Sequence, residues 1–95
     1  MVVGVLHLDL RIHDCHSLKE KRGCIRQIIT RTRNTFEVSV AEVGCQDLWQ
    51  RAEIGVTTVG NDRAVINQRL DHVINFVEDL GSADLVDHWI ELINI

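Results

Sequence analysis

Val5-Leu6-His7-Leu8-Asp9-Leu10-Arg11-Ile12 is the stretch on which the fold turns. Leu6, Leu8, Leu10 and Ile12 fall on one side of an extended chain, and His7, Asp9 and Arg11 on the other. A period of two marks a strand with one covered and one open face. Val2-Val3-Gly4 carries it upstream, so the first strand is read over residues 2–12. Immediately beyond it, Ser17-Leu18-Lys19-Glu20 has the form of a capping box: the Ser17 hydroxyl accepts from the amide of residue 20, and the Glu20 carboxylate returns to the Ser17 amide. A helix therefore starts there and runs to about Asn34. At about 100° per residue, Leu18, Ile25, Ile28, Ile29 and Thr32 share an arc of about 100°, the width of a helix face lying on a core.

Phe36 to Val43, with Val38, Val40 and Val43, reads as a second strand, ended by the polar turn Gly44-Cys45-Gln46-Asp47. Trp49 to Val59 should pair back on it as a hairpin. Asn61 or Asp62 caps a second helix, whose Val65, Ile66, Leu70, Val73, Ile74, Phe76, Val77 and Leu80 face inward. Gly81 takes the left-handed position that ends it, and Leu85 to Ile93 forms the last strand. The order βαββαβ, with short connections and no proline, closes most simply as a single α+β domain over residues 1–95. Its expected architecture is a ferredoxin-like sandwich: a four-stranded antiparallel sheet of strand order 4-1-3-2 with both helices on one face. The central strands would present His7, Asp9 and Arg11 beside Arg51 and Glu53 on the other face.

With 95 residues, 45% of them hydrophobic and 25% charged, the chain has ordinary globular composition, which excludes disordered and low-complexity classes. No apolar run approaches the roughly 20 residues that span a bilayer, and the N-terminal residues lack a basic, cleavable leader, so a cytoplasmic location is expected. Cys15, Cys24 and Cys45 are odd in number and fit neither a disulfide framework nor a CxxC knuckle, and are read as thiols. The net charge of −4 is unevenly spread: residues 11–33 sum to +5, the remainder to −9, and from Asp71 onward there are six acids and no Lys or Arg. A small core, an open sheet face and the strand edges at Phe36–Val43 and Leu85–Ile93 point to a homodimer.

His13-Asp14-Cys15-His16 is the densest group of metal-capable side chains. Four successive residues in a short turn cannot all aim inward at about 2.0–2.3 Å, so they are read as a solvated loop, with no metal and no cofactor implied. Cys15 lies before a helix N-terminus beside two histidines, which can activate a thiol, but no ordered base or oxyanion hole accompanies it, and no catalytic residue is assigned. Gly55-Val56-Thr57-Thr58-Val59-Gly60 lacks the Lys-Ser/Thr of a phosphate loop and reads as strand. RNA-recognition motifs stack bases on aromatics of the first and third strands, and here those strand interiors have none. Trp49 at the entrance of the third strand, with Arg51, is a candidate binding rim, although a Trp there is expected to be partly buried.

The first helix carries the clearest surface signal. Lys19, Arg22, Arg26 and Arg33 fall between about 40° and 100° on the same wheel, a basic stripe adjoining the apolar face. Such a stripe can follow a phosphate backbone, stay solvated, or pair with acids of the second helix such as Asp71 or Glu78. Arg69 falls inside the second helix's apolar arc and must snorkel, pair or reach an interface.

His16-Ser17-Leu18-Lys19-Glu20-Lys21-Arg22, Ser39-Val40-Ala41-Glu42-Val43 and above all Gln46-Asp47-Leu48-Trp49-Gln50-Arg51-Ala52 resemble the YlxP-like family of small bacterial proteins, a domain of unknown function. The likeness extends to Phe76-Val77-Glu78 and Ala83-Asp84-Leu85-Val86-Asp87. It implies a ferredoxin-like fold, a bacterial cytosolic origin and, from the usual gene neighbourhood, a role near ribosome maturation or translation initiation. It supplies no catalytic or binding residues, and members usually show fewer Cys and His than His13-Asp14-Cys15-His16. The resulting expectation is a non-enzymatic binding or accessory protein that meets ribosomal RNA or a translation factor through Lys19, Arg22, Arg26 and Arg33. A dimeric small-molecule-sensing module is the alternative, by fold-level analogy.

Overall fold

The computed structural model describes residues 1–95. Strand β1 (Val2–Arg11) is followed by helix α1 (Leu18–Thr35), strands β2 (Ser39–Gly44) and β3 (Arg51–Gly60), helix α2 (Arg63–Leu80) and strand β4 (Asp84–Asn94). The strands form one antiparallel sheet in the order β2-β3-β1-β4, the expected order read from the other edge. Leu6, Leu8 and Leu10 of β1 and Ala52, Ile54 and Val56 of β3 are buried beneath Ile25 and Ile28 of α1 and Ile66, Leu70, Val73 and Val77 of α2. The alternation in the two central strands thus sets which face the helices cover.

Gly4 marks the closest approach of helix to sheet. A Cβ there would lie 3.0 Å from Leu70 Cδ1 and closer still to Ile66, so only a residue without a side chain lets α2 settle at this point. At the other end of α2, Gly81 adopts φ 69°, the left-handed conformation that favours glycine. Asp62 caps the N-terminus through the amides of Ala64 and Val65.

Several expected boundaries and contacts are corrected. Ser17 Oγ accepts from the Glu20 amide as anticipated, but Glu20 Oε2 accepts from the His16 amide instead of that of Ser17. β2 begins at Ser39, three residues later than its β-branched run suggests. Phe36 ends α1, its N–H bonding the Thr32 carbonyl, while its ring packs edge-on to Phe76 at 5.4 Å and ties the helices together. Trp49 is likewise outside β3, in the hairpin loop, and Val65 of α2 is exposed. Lys21, a charged residue lying within the apolar arc of α1, is buried with it.

Candidate nucleic-acid interface

α1 lies over the β2 side of the sheet, which places the basic stripe along that flank of the molecule. Lys19, Arg22, Arg26 and Arg33 are all exposed on the helix. Arg33 spends a guanidinium N–H on the Val40 carbonyl at 3.0 Å, guarding the edge of β2. Lys21 forms an ion pair with Glu42 and Arg51 with Asp9, and the imidazoles of His7 and His13 meet the carboxylates of Glu53 and Asp84. None involves the stripe, and Asp71 instead accepts from its helical neighbour Asn67. The pairing with Asp71 or Glu78 anticipated as one reading does not form.

Beside the stripe is a feature the sequence reading passed over. Gly23, mid-helix, has no atom within 4 Å of where a Cβ would stand, so no packing reason requires a glycine there. Its missing side chain opens a shallow groove of about 550 Å³ lined by Gly23, Arg26, Gln27, Thr30 and Arg31. A glycine in a helix interior costs about 1 kcal/mol relative to alanine. That cost was the available signal, and it adds Arg31 to the cationic surface.

Arg51, read as part of a binding rim with Trp49, is committed elsewhere. Its guanidinium donates to both oxygens of Asp9, at 2.9 and 2.7 Å, and the hydrogen bond with Asp9 and that carboxylate's charge hold its pKa above the usual arginine value. Trp49 is 50% exposed beside half-exposed Leu48, so its ring is half covered, and with Asp47, Leu48 and Gln50 of the loop and Arg51 of β3 it lines a shallow cavity of about 410 Å³. On the open sheet face His7 stacks on Trp89 of β4, ring planes 1° apart and centroids 5.5 Å apart, and lies 3.9 Å from Glu53. An aromatic surface therefore exists on the open face, supplied by the edge strand. Arg69 reaches from α2 to Thr58 Oγ1 at 2.6 Å and borders, with Glu37, Ser39 and Thr57, an open cleft of about 330 Å³.

The His13-Asp14-Cys15-His16 side chains diverge. His13 contacts Asp84 of β4, Cys15 is buried with its thiol directed to the Ser17 carbonyl at 3.3 Å, and His16 is exposed. Burial, and then the neighbouring Cys15, push the Cys24 thiol up from its ordinary pKa. All three cysteines are unpaired. In the folded protein near pH 8, Cys24 should react slowly with a thiol reagent because its raised pKa keeps it protonated and the thiolate is the reactive form, and Cys15 because it is buried. Denaturant should release three titratable thiols, and elemental analysis should find less than one zinc per chain. Stoichiometric zinc would contradict the diverging geometry.

Comparison with known proteins gives the chain's relatives. The family described as "Protein of unknown function (DUF503)" matches residues 3–90. The "Uncharacterized protein YlxP" of Bacillus subtilis (strain 168) is 38% identical over 77 residues, covering 81% of this chain and 84% of the relative. Among solved structures, the de novo designed protein Foldit4 superposes with a TM-score of 0.52 at 13% identity, covering 99% of this chain and 97% of that one, a likeness of fold alone.

Proposed function

Because the chain belongs to the DUF503 family, whose function is not known, we propose its role from its own surface: a non-catalytic accessory protein that holds structured RNA along the outer face of α1. One observation carries this reading. Lys19, Arg22 and Arg26 are exposed and take part in none of the molecule's ion pairs, on a protein of net charge −4 that has ample carboxylates to neutralise them. Cations left without internal partners are available to phosphates, whose condensed counterions are released on binding. The dent at Gly23 lets a backbone approach the helix between Arg26 and Arg31, and Arg guanidinium groups suit phosphate geometry. Ribosomal RNA is the structured RNA that the family resemblance favours.

Binding to structured RNA should be detectable near 50 mM salt, a permissive condition, and should weaken steeply as salt rises. Arg22→Gln combined with Arg26→Gln should lower affinity for every RNA tested and flatten the salt slope by about 0.7–0.9 per lost contact. Stability should change by only about 0.5 kcal/mol, as for surface substitutions generally. If the parent protein shows no RNA binding at the low salt concentration, the reading is wrong.

A further inference from the structure

We propose that the outer edge of β4 is a docking site for an extended, cationic segment of a protein partner, which adds to the sheet as a fifth strand. The two edges of this sheet differ. On β2 the Val40 carbonyl is taken by Arg33, although a helix packs equally against each edge strand, α1 on β2 and α2 on β4. β4 is an edge strand of 11 residues, Asp84–Asn94; an irregularity interrupts its pairing between Asp87 and Leu85, and beyond that point its edge has neither Lys, Arg nor Pro, its charges being carboxylates only.

Which of its backbone groups are unpaired follows from the register. Met1 and Ile95 exchange both backbone hydrogen bonds, at 2.9 and 2.8 Å. Pairs in an antiparallel ladder alternate between bonded and non-bonded, so Ile93, Glu91 and Trp89 bond inward to Val3, Val5 and His7. The N–H and carbonyl groups of His88, Ile90 and Leu92 then point outward. The His88 amide bears this out, being met by the Asp87 side chain at 2.8 Å instead of by β1. Ile90 and Leu92 have no such cap among the side-chain hydrogen bonds, and they offer the main-chain pairing that strand addition uses.

Side chains select the occupant. On the open face, Asp87, Trp89 and Glu91 follow one another at alternate positions. Trp89 is 49% exposed, and because one face of its ring stacks on His7 of the neighbouring inner strand, the other face is turned towards the vacant strand position. An indole face between two carboxylates suits Lys or Arg through cation–π and ionic attraction together. A second copy is disfavoured as occupant, since pairing β4 with itself would gather the Asp87 and Glu91 carboxylates of both chains along one seam.

The probe is a short acetylated peptide alternating Lys and Val, with two controls: the same peptide N-methylated at alternate amides, and an alternating Glu/Val peptide. In a Trp49→Phe background Trp89 is the sole tryptophan, and its fluorescence reports binding near 50 mM salt, where exposed charges are weakly screened. The Lys/Val peptide should bind and slow hydrogen exchange at the Ile90 and Leu92 amides. N-methylation keeps the charge but removes strand pairing, and should weaken binding at least about tenfold, the worth of about two backbone hydrogen bonds. Glu91→Lys, an exposed change that leaves the core intact, should weaken the Lys/Val peptide at least about tenfold and shift preference towards Glu/Val. The proposal fails if the parent does not bind the peptide, if the N-methylated peptide binds equally well, or if Glu91→Lys leaves the preference unchanged. It also fails if light scattering gives a dimer whose Ile90 and Leu92 amides are already protected without peptide, because the edge would then belong to a second copy.

Discussion

Glu42→Ala is expected to destabilise the protein by about 3 kcal/mol, towards the lower end of the cost of breaking a buried ion pair by removing one partner. The Lys21 side chain is 2% exposed, and its ammonium meets Glu42 Oε2 at 3.1 Å and the Cys45 carbonyl. Glu42 Oε2 has no partner besides that ammonium, so the pair is mutually dependent. Without Glu42, a charge that cannot reach water is left with one neutral acceptor. Lys21→Met should cost less, about 1–2 kcal/mol. Glu42 is 22% exposed and can turn to solvent, while the Cys45 carbonyl loses its donor. Combining the two changes should cost no more than Lys21→Met alone, because no unpaired charge remains to be buried. Urea denaturation of the three variants measures this coupling. Losses that simply add would mean that Lys21 and Glu42 do not act as a pair.

Lys21 also shows where reading the sequence reached its limit. On the helical wheel it falls inside the apolar arc, between Ile28 and Thr32, so a conflict between its charge and its position was visible in the residues. What resolves the conflict is a carboxylate from β2 and a carbonyl from the hairpin loop, and such partners depend on tertiary packing. The fold itself was more legible because its signals are local: alternation in β1, the Ser17 and Asp62 caps, Gly81, and two apolar arcs of helical period. Strand starts were missed where an apolar residue had a different task, as with Phe36, whose ring joins α1 to α2. Of the candidate surface residues, Lys19, Arg22 and Arg26 stand exposed as the wheel implied, whereas Arg33 and Arg51 are drawn to acceptors on neighbouring strands. The aromatic of the open face could not be placed from the sequence, since putting Trp89 beside His7 requires the β1–β4 register.

Ile28→Ala should cost about 2–5 kcal/mol, the range for deleting most of a buried aliphatic side chain. Ile28 is 1% exposed and lies near the middle of α1, two to three turns from either end, so fraying cannot relieve the loss. Its neighbours offer little chance of collapse. The β2 strand beneath is held by its pairing with β3, and α1 is held at one end by the Ser17 cap and the Lys21 anchor and at the other by Phe36. A cavity should therefore persist, which moves the expectation towards the upper half of the range. For a domain of this size each kcal/mol lowers the melting temperature by about 4–8 °C, so the variant should melt more than about 10 °C below the parent. Total stabilities of small domains are only about 5–15 kcal/mol, and a loss of this size takes a large share of the whole. A melting temperature within a few degrees of the parent would mean that Ile28 does not face the sheet. The phase of α1 would then be wrong, and with it the outward orientation of Arg22 and Arg26 on which the RNA reading depends.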